Sequence, residues 1–353
     1  MEQKLDKQRV QEFARKLFGF YTSGILTLMV DLGHKTGLFE AAAKGAGTSE
    51  EIAARAGLNE RYVREWLGAM ATGGVFEYDA ATRRFSLPAE HAACLTGTSS
   101  RNLAAGSQTV PMLAKRLPRV VESFKNGGGV SYAEYRPDFT EAQDASWRLL
   151  YDGLLIKGFL PAAKGLPERL QAGIRVADLG CGTGHAVNLM AREYPASTFT
   201  GYDFGEDPIA RARAEAQAMG LANARFEALD VTRLPAEPTF DLITSFDAIH
   251  DQREPAAVLR RAAEALAPGG VYLMIEPKAS SNLEDNIGNP FAPYIYGISV
   301  LHCMTVSLAA GGAGLGTAWG EQTARRMLAA AGFTSVEVVD APGPQNSIYV
   351  CRR

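Results

Sequence analysis

The residues best suited to chemistry lie in two short runs. The first is Val176-Ala177-Asp178-Leu179-Gly180-Cys181-Gly182-Thr183-Gly184, which reads as a strand, a glycine turn and the start of a helix. Glycines belong there because the backbone must turn sharply and let a ligand come close with no side chain in the way. An acid stands two residues before the first glycine, and Asp203 closes the next predicted strand nineteen residues after Gly184. An acid so placed accepts hydrogen bonds from both ribose hydroxyls of an adenosine. The second run, Ser245-Phe246-Asp247-Ala248-Ile249-His250-Asp251, ends in a histidine–aspartate pair. A neutral imidazole, with a reference pKa of about 6.5, can take a proton from a nucleophile at physiological pH.

A dinucleotide fingerprint needs a third glycine, yet the sixth position is His185 counted from Gly180 and Val187 counted from Gly182. A ligand without a pyrophosphate fits better, and Asp-x-Gly-x-Gly-x-Gly resembles the first motif of class I S-adenosylmethionine-dependent methyltransferases. Pro268-Gly269-Gly270 and Ala331-Gly332-Phe333 stand where that family places later turns. The resemblance implies that S-adenosylmethionine is the cofactor. It implies that Gly180, Cys181 and Gly182, with Asp178 ahead of them, lie under its methionine portion. Asp203 then holds the ribose and Asp230 the adenine amino group, with Phe204, Val231 and Phe246 as ring contacts.

The His-Asp pair is similar to that of winged-helix small-molecule O-methyltransferases, whose histidine removes the acceptor's proton. In those enzymes tryptophan usually follows, whereas Gln252 stands here, which resembles a bacterial subgroup with His-Asp-Gln. The resemblance makes His250 the general base and leaves Asp251 either orienting the ring or capping the next helix. The lesser alternative is that His250 is a satisfied polar residue capping the helix before Pro255. Methyl transfer is an in-line displacement, so the nucleophile must sit about 3 to 3.5 Å from the methyl carbon. Glu276, ending the fifth strand, is a candidate supporting acid, and the resemblance also implies a homodimer.

The elements that carry these runs form an α/β pattern. From Arg175 onward, seven strand candidates alternate with helices, as expected of a Rossmann-like parallel sheet covered on both faces. They are 175–179, 198–203, 225–230, 241–246, 271–276, 336–339 and 348–351. Ahead of them, Thr48 caps a helix ending at Gly57, Asn59 caps a second, and two runs around Asp79 to Arg83 form a hairpin. Together these make a winged helix. The chain thus divides into a winged-helix domain at 1–98, a helical connector at 99–170 and a catalytic domain at 171–353. An apolar N-terminal helix around Phe18, Phe20, Tyr21, Ile25, Leu26 and Met29 fits the dimer reading.

A winged helix can bind DNA, but Thr48 to Leu95 holds five basic and seven acidic residues. Phosphate contacts dominate DNA affinity, so a net acidic module is a poor reader, and no nucleic-acid partner is expected. The whole chain of 353 residues carries 36 basic and 39 acidic side chains, net −3, with no global field for nucleic acid or anionic lipid. No signal peptide, uninterrupted membrane span or C-x-x-C pair is evident, which points to a cytoplasmic protein with reduced thiols and no metal site. Between Glu276 and Glu321 lies an aromatic and glycine-rich insertion. Its Gly311–Gly316 run is expected to be a mobile lid, and Tyr294, Tyr296, His302 and Met304 are candidates to line an apolar acceptor pocket. The expected activity is O-methylation of a small apolar or phenolic metabolite. Carbon, nitrogen or sulfur methylation by proximity, and a DNA-binding sensor of S-adenosylmethionine, are the alternatives.

Overall fold

Two helix caps organise the N-terminal unit, Met1–Pro111, in the computed structural model, which describes residues 5–343 and 345–353. Thr48 Oγ1 accepts from the Glu51 N–H at 3.3 Å while the Glu51 carboxylate accepts from the Thr48 N–H at 3.1 Å, starting helix Ser49–Ala56. Asn59 accepts from the Arg61 N–H at 3.0 Å and starts helix Glu60–Thr72. Val63, Trp66, Leu67 and Met70 bury one side of that helix against Phe39, Ile52 and Phe76. The hairpin follows as β1 (Glu77–Asp79) and β2 (Arg84–Ser86), paired antiparallel. Val75 and Phe76 stay outside its first strand, because both donate their N–H groups to the Met70 carbonyl and so close the preceding helix. Arg61 and Arg64 are each paired on their own helix, with Glu65 at 2.6 Å and Glu60 at 3.2 Å. A 30-residue helix, Lys7–Thr36, precedes the winged helix and leaves Phe13, Phe18, Phe20, Tyr21 and Ile25 exposed.

The second unit, Met112–Arg353, is built on a seven-stranded sheet. Its strands are β3 (Arg175–Leu179), β4 (Thr198–Asp203), β5 (Ala224–Ala228), β6 (Phe240–Phe246), β7 (Leu266–Pro277), β8 (Ser335–Asp340) and β9 (Asn346–Arg352), in the order β5-β4-β3-β6-β7-β9-β8. Side chains alternate between two buried faces: Val176, Leu242, Val271 and Leu273 enter one core, and Ala177, Ile243, Tyr272 and Met274 the other. The first five strands in chain order are parallel, whereas β9 runs antiparallel to both neighbours. This departs from an all-parallel sheet because the link from Asp340 to Asn346 is too short for a crossover helix. From β3 the chain winds outward through β4 and β5, then returns to β6 on the other side of β3. Such a reversal leaves a crevice at the carboxyl ends of the central strands, where ligands bind in open α/β sheets.

The insertion between β7 and β8 is largely helical, with Ala292–Ile298 continuing through a wider turn at Ser299–Cys303 into Met304–Ala309. Among the described residues, Ala292–Ala309 is the one helical run long and apolar enough to cross a membrane, and 44% of it is buried within the fold. The glycine run expected as a mobile lid is tied down here. Gly312 N–H donates to the Ser307 carbonyl at 2.8 Å, Ala313 N–H to the Arg253 carbonyl at 3.0 Å and Gly314 N–H to Ser307 Oγ at 3.1 Å.

Candidate active site

The glycine turn sits in the crevice. Gly180, Gly182 and Gly184 all hold left-handed φ values, +75°, +53° and +76°. A side chain at Gly184 would also strike Ala212 and Phe226, so the turn excludes other residues on two grounds. The turn is bound to its neighbours through the backbone: Gly180 and Cys181 donate to the Tyr202 carbonyl at 2.8 and 2.9 Å. Asp203 Oδ2 accepts from Gly182 N–H at 3.1 Å and Oδ1 from Gly205 N–H at 2.8 Å. Burial raises the Asp203 carboxyl, opposed by those two N–H groups and by the Arg136 charge.

Gly180, Cys181, Gly182, Asp203, Phe204, Asp230, Val231 and Phe246 all line one cavity of about 470 Å³. Asp178 does not. It lies buried beneath the turn and accepts from Thr244 Oγ1 at 2.6 Å, with its carboxyl pushed up to about 7 by burial. The cavity suits S-adenosylmethionine by its donor set: a glycine-rich turn for the amino-acid tail, a carboxylate for the ribose and the Phe204 ring beside it for the base.

Helix Asp138–Leu154, within the stretch read as a connector, supplies a wall that sequence reasoning missed. Asp144, Trp147, Arg148 and Tyr151 face the cavity from it. Their i, i+4 spacing, Asp144 to Arg148 and Trp147 to Tyr151, was the available signal. Arg148 pairs with Asp144 on its own helix at 3.1 Å and with Glu215 of helix Glu206–Ala218 at 2.5 Å, and Thr183 Oγ1 of the glycine turn donates to Asp144 at 2.5 Å. His185, which follows the last glycine, pairs with Glu215 at 2.9 Å and Asp152 at 3.0 Å. Burial opposes ionisation of Glu215, but hydrogen bonds from His185, Arg148 and Asn188 prevail and pull it down to about 2.

The other end of the cavity is formed after β6. Asp247, Ala248, Asp251, Gln252 and Arg253 line it, and Asp247 holds a left-handed φ of +54°, a strained setting for a residue with a side chain. His250 lies just behind this wall, 2% exposed, with Nδ1 donating to Glu276 Oε2 at 2.6 Å. Glu276 is fully buried and also accepts from Ile249 N–H at 2.8 Å and Trp319 Nε1 at 3.2 Å. Burial alone would lower the His250 pKa, but the Glu276 and Asp251 carboxylates overcome it and hold the ring well above its ordinary value. The two carboxylates thus favour the charged form of the ring. Burial first, then the Glu276 and Asp251 charges, push Asp247 up to about 7.

The insertion meets the cavity through Val306, Ser307, Ala309 and Ala310. Of the four acceptor candidates read from it, none is on the wall. Tyr294 is half exposed, Tyr296 accepts from Asn286 Nδ2 at 3.1 Å, and Met304 is half-buried near Gly316. His302 is fully buried, stacked on Phe139 behind Asp251.

Comparisons with known proteins agree with this architecture. Residues 24–97 match the family described as the Rv2258c-like winged HTH domain, and residues 170–332 match the family described as a methyltransferase domain. A trans-aconitate 2-methyltransferase of Methylobacterium nodulans is 35% identical over 33% of this chain and 42% of its own length. A malonyl-[acyl-carrier protein] O-methyltransferase of Bacillus cereus is 32% identical over 29% of this chain and 37% of its own. The chain thus spans about two-fifths of the length of these curated relatives. Over nearly the full length, the fold is similar to that of a putative O-methyltransferase from Nostoc punctiforme, with TM-score 0.72, 17% identity and 96% and 98% of the two chains covered. It is also similar to human N-acetylserotonin methyltransferase in complex with S-adenosylmethionine, with TM-score 0.70, 16% identity and 100% and 99% covered. The chain thus carries a winged HTH domain followed, in chain order, by a methyltransferase domain whose glycine turn is seated at the switch of its sheet.

Proposed function

We propose that this protein transfers the methyl group of S-adenosylmethionine to a hydroxyl of a small, flat, apolar or phenolic acceptor. One observation carries the reading: a single cavity joins the glycine turn and Asp203 to Asp247 and Asp251, so a donor at one end and an acceptor at the other meet inside it. The names of several relatives, which describe O-methyl transfer, support the same chemistry. S-adenosylmethionine, when bound, supplies a methyl group on a positively charged sulfur. Asp203 holds the ribose hydroxyls, Asp230 reaches the adenine, and the backbone of Gly180 to Gly182 makes room for the amino-acid tail.

At the acceptor end, the rings of Tyr132, Phe139, Trp147 and Tyr151 give a flat apolar molecule a dry wall. Asp251 is the carboxylate that faces it, and the hydroxyl proton passes to this group as the oxygen attacks. His250 acts through Asp251. Its imidazolium, with Nε2 3.2 Å from Asp251 Oδ1, orients the carboxylate and offsets the negative charge that grows on the acceptor oxygen. The assay is transfer of a labelled methyl group from S-adenosylmethionine to a panel of phenols. His250→Gln should keep S-adenosylhomocysteine affinity within about threefold and lower turnover about 100-fold or more. Unchanged turnover in that variant would remove His250 from the mechanism and leave transfer by proximity alone, open to carbon, nitrogen or sulfur acceptors.

A further inference from the structure

The site holds a second histidine that the scheme above does not use. His302 is fully buried, and neither of its ring nitrogens makes a hydrogen bond. An imidazole always carries at least one N–H donor, and leaving a buried donor or acceptor without a partner costs its desolvation in full. Such orphans in a folded protein call for an explanation, and a functional one is available here. Packing leaves the ring little freedom. It lies flat on Phe139, with centroids 3.6 Å apart and planes within 11°, and Tyr132 and Tyr135 meet it edge-on.

The nearest anion is Asp251, whose Oδ2 is 3.9 Å from His302 Nδ1, about an ångström beyond a hydrogen bond. Asp251 itself is under-bonded: its Oδ1 is 3.2 Å from His250 Nε2 but makes no aligned hydrogen bond. The carboxylate therefore stands between two histidines and is held firmly by neither.

We infer that His302 is a positioning residue for Asp251, donating its Nδ1–H to Oδ2 once an acceptor is loaded, so that the carboxylate is clamped between two rings with one oxygen turned to the acceptor's hydroxyl. The two histidines divide the work by charge. Glu276 keeps His250 cationic. The groups facing His302 are Asp251, the His250 charge, the Tyr132 and Tyr135 rings and the adjoining Cys303 thiol. Burial, reinforced by His250, outweighs Asp251 and lowers the ring to about 4, so it is a neutral donor across the physiological range. A neutral donor aligns the carboxylate without adding a second cation that would weaken it as a proton acceptor.

This inference rests on the proposed O-methyl transfer, and its test separates the two. The full chain is assayed with S-adenosylmethionine and a series from phenol to 4-nitrophenol, comparing wild type with His302→Phe, which keeps the stack on Phe139 and removes both nitrogens, and with His302→Asn, which restores a donor. The expected result for His302→Phe is unchanged S-adenosylhomocysteine affinity and KM, with kcat for phenol reduced tenfold or more. The loss should shrink to under twofold for 4-nitrophenol, whose hydroxyl ionises near neutrality, and His302→Asn should recover much of the phenol rate. Equal kcat for phenol in wild type and His302→Phe overturns the inference, and so does an equal loss along the whole series, the mark of a packing defect. If wild type binds S-adenosylhomocysteine but methylates no phenol, the acceptor reading has failed. Histidine-resolved ¹⁵N spectra of that complex then decide the inference: a neutral His302 at pH 7 that responds to Asp251→Asn supports it, and a charged or unresponsive ring overturns it.

Discussion

The two ends of the cavity are built by different means. The adenosine end is made of backbone: three left-handed glycines, N–H groups aimed at Tyr202 and Asp203, and one carboxylate at a strand end. These come from β3, β4 and the turns that follow them, with Asp230 and Val231 added just after β5. The acceptor end is made of side chains drawn from helix Asp138–Leu154, the segment after β6, the end of β7 and the insertion before β8. A site held by local backbone geometry binds what every member of the fold binds. One assembled from distant side chains can change its acceptor without disturbing the donor.

This contrast can be broken by substitution. The largest effect is expected from Glu276→Gln, which removes one partner of a buried ion pair and should destabilise the fold by roughly 3–5 kcal/mol. It should also lower the His250 pKa and reduce turnover, while S-adenosylhomocysteine affinity in the folded fraction stays within about threefold. Chemical unfolding together with calorimetry checks both parts, and a matching collapse of cofactor affinity would mean that the two ends are not separable.

A smaller effect is expected under the glycine turn. Burial raises the folded pKa of Asp178 to about 7, above its unfolded value, so the fold prefers the protonated acid. That preference costs nothing below about pH 4, grows as the pH climbs toward 7 and is constant above. Asp178→Asn cannot ionise. The stability difference should therefore move in the variant's favour by up to about 4 kcal/mol between pH 4 and pH 8, read from denaturant melts at each pH. A difference independent of pH would show that Asp178 titrates normally and that its burial is relieved in solution.

The same contrast explains what was legible in the sequence. The turn, Asp203 and the strands around them are local, and their spacing and glycine content say most of what matters about the backbone. The Thr48 and Asn59 caps are legible for the same reason, since each cap bonds within three residues of itself. The acceptor wall is not. Trp147 and Tyr151 lie on a helix whose apolar side could equally have been core, and only the tertiary fold brings them opposite Asp251. Residues 294–304 drew attention as an aromatic cluster, yet the insertion touches the cavity further along, at Val306, Ser307, Ala309 and Ala310, because the helix phase sets which residues face inward. The pairing of His250 with Glu276 was also out of reach, because the carboxylate lies 26 residues away and no spacing reveals its distance from the ring.

The central claim is that one cavity binds S-adenosylmethionine through Asp203. Calorimetric titration of the full chain with S-adenosylhomocysteine, wild type against Asp203→Ala, tests it most directly. The account predicts clear binding by wild type and a loss of about 100-fold or more in the variant, since two hydrogen bonds to a charged group contribute roughly 3–6 kcal/mol together. Equal affinity in the two proteins, or no binding by wild type, would contradict it.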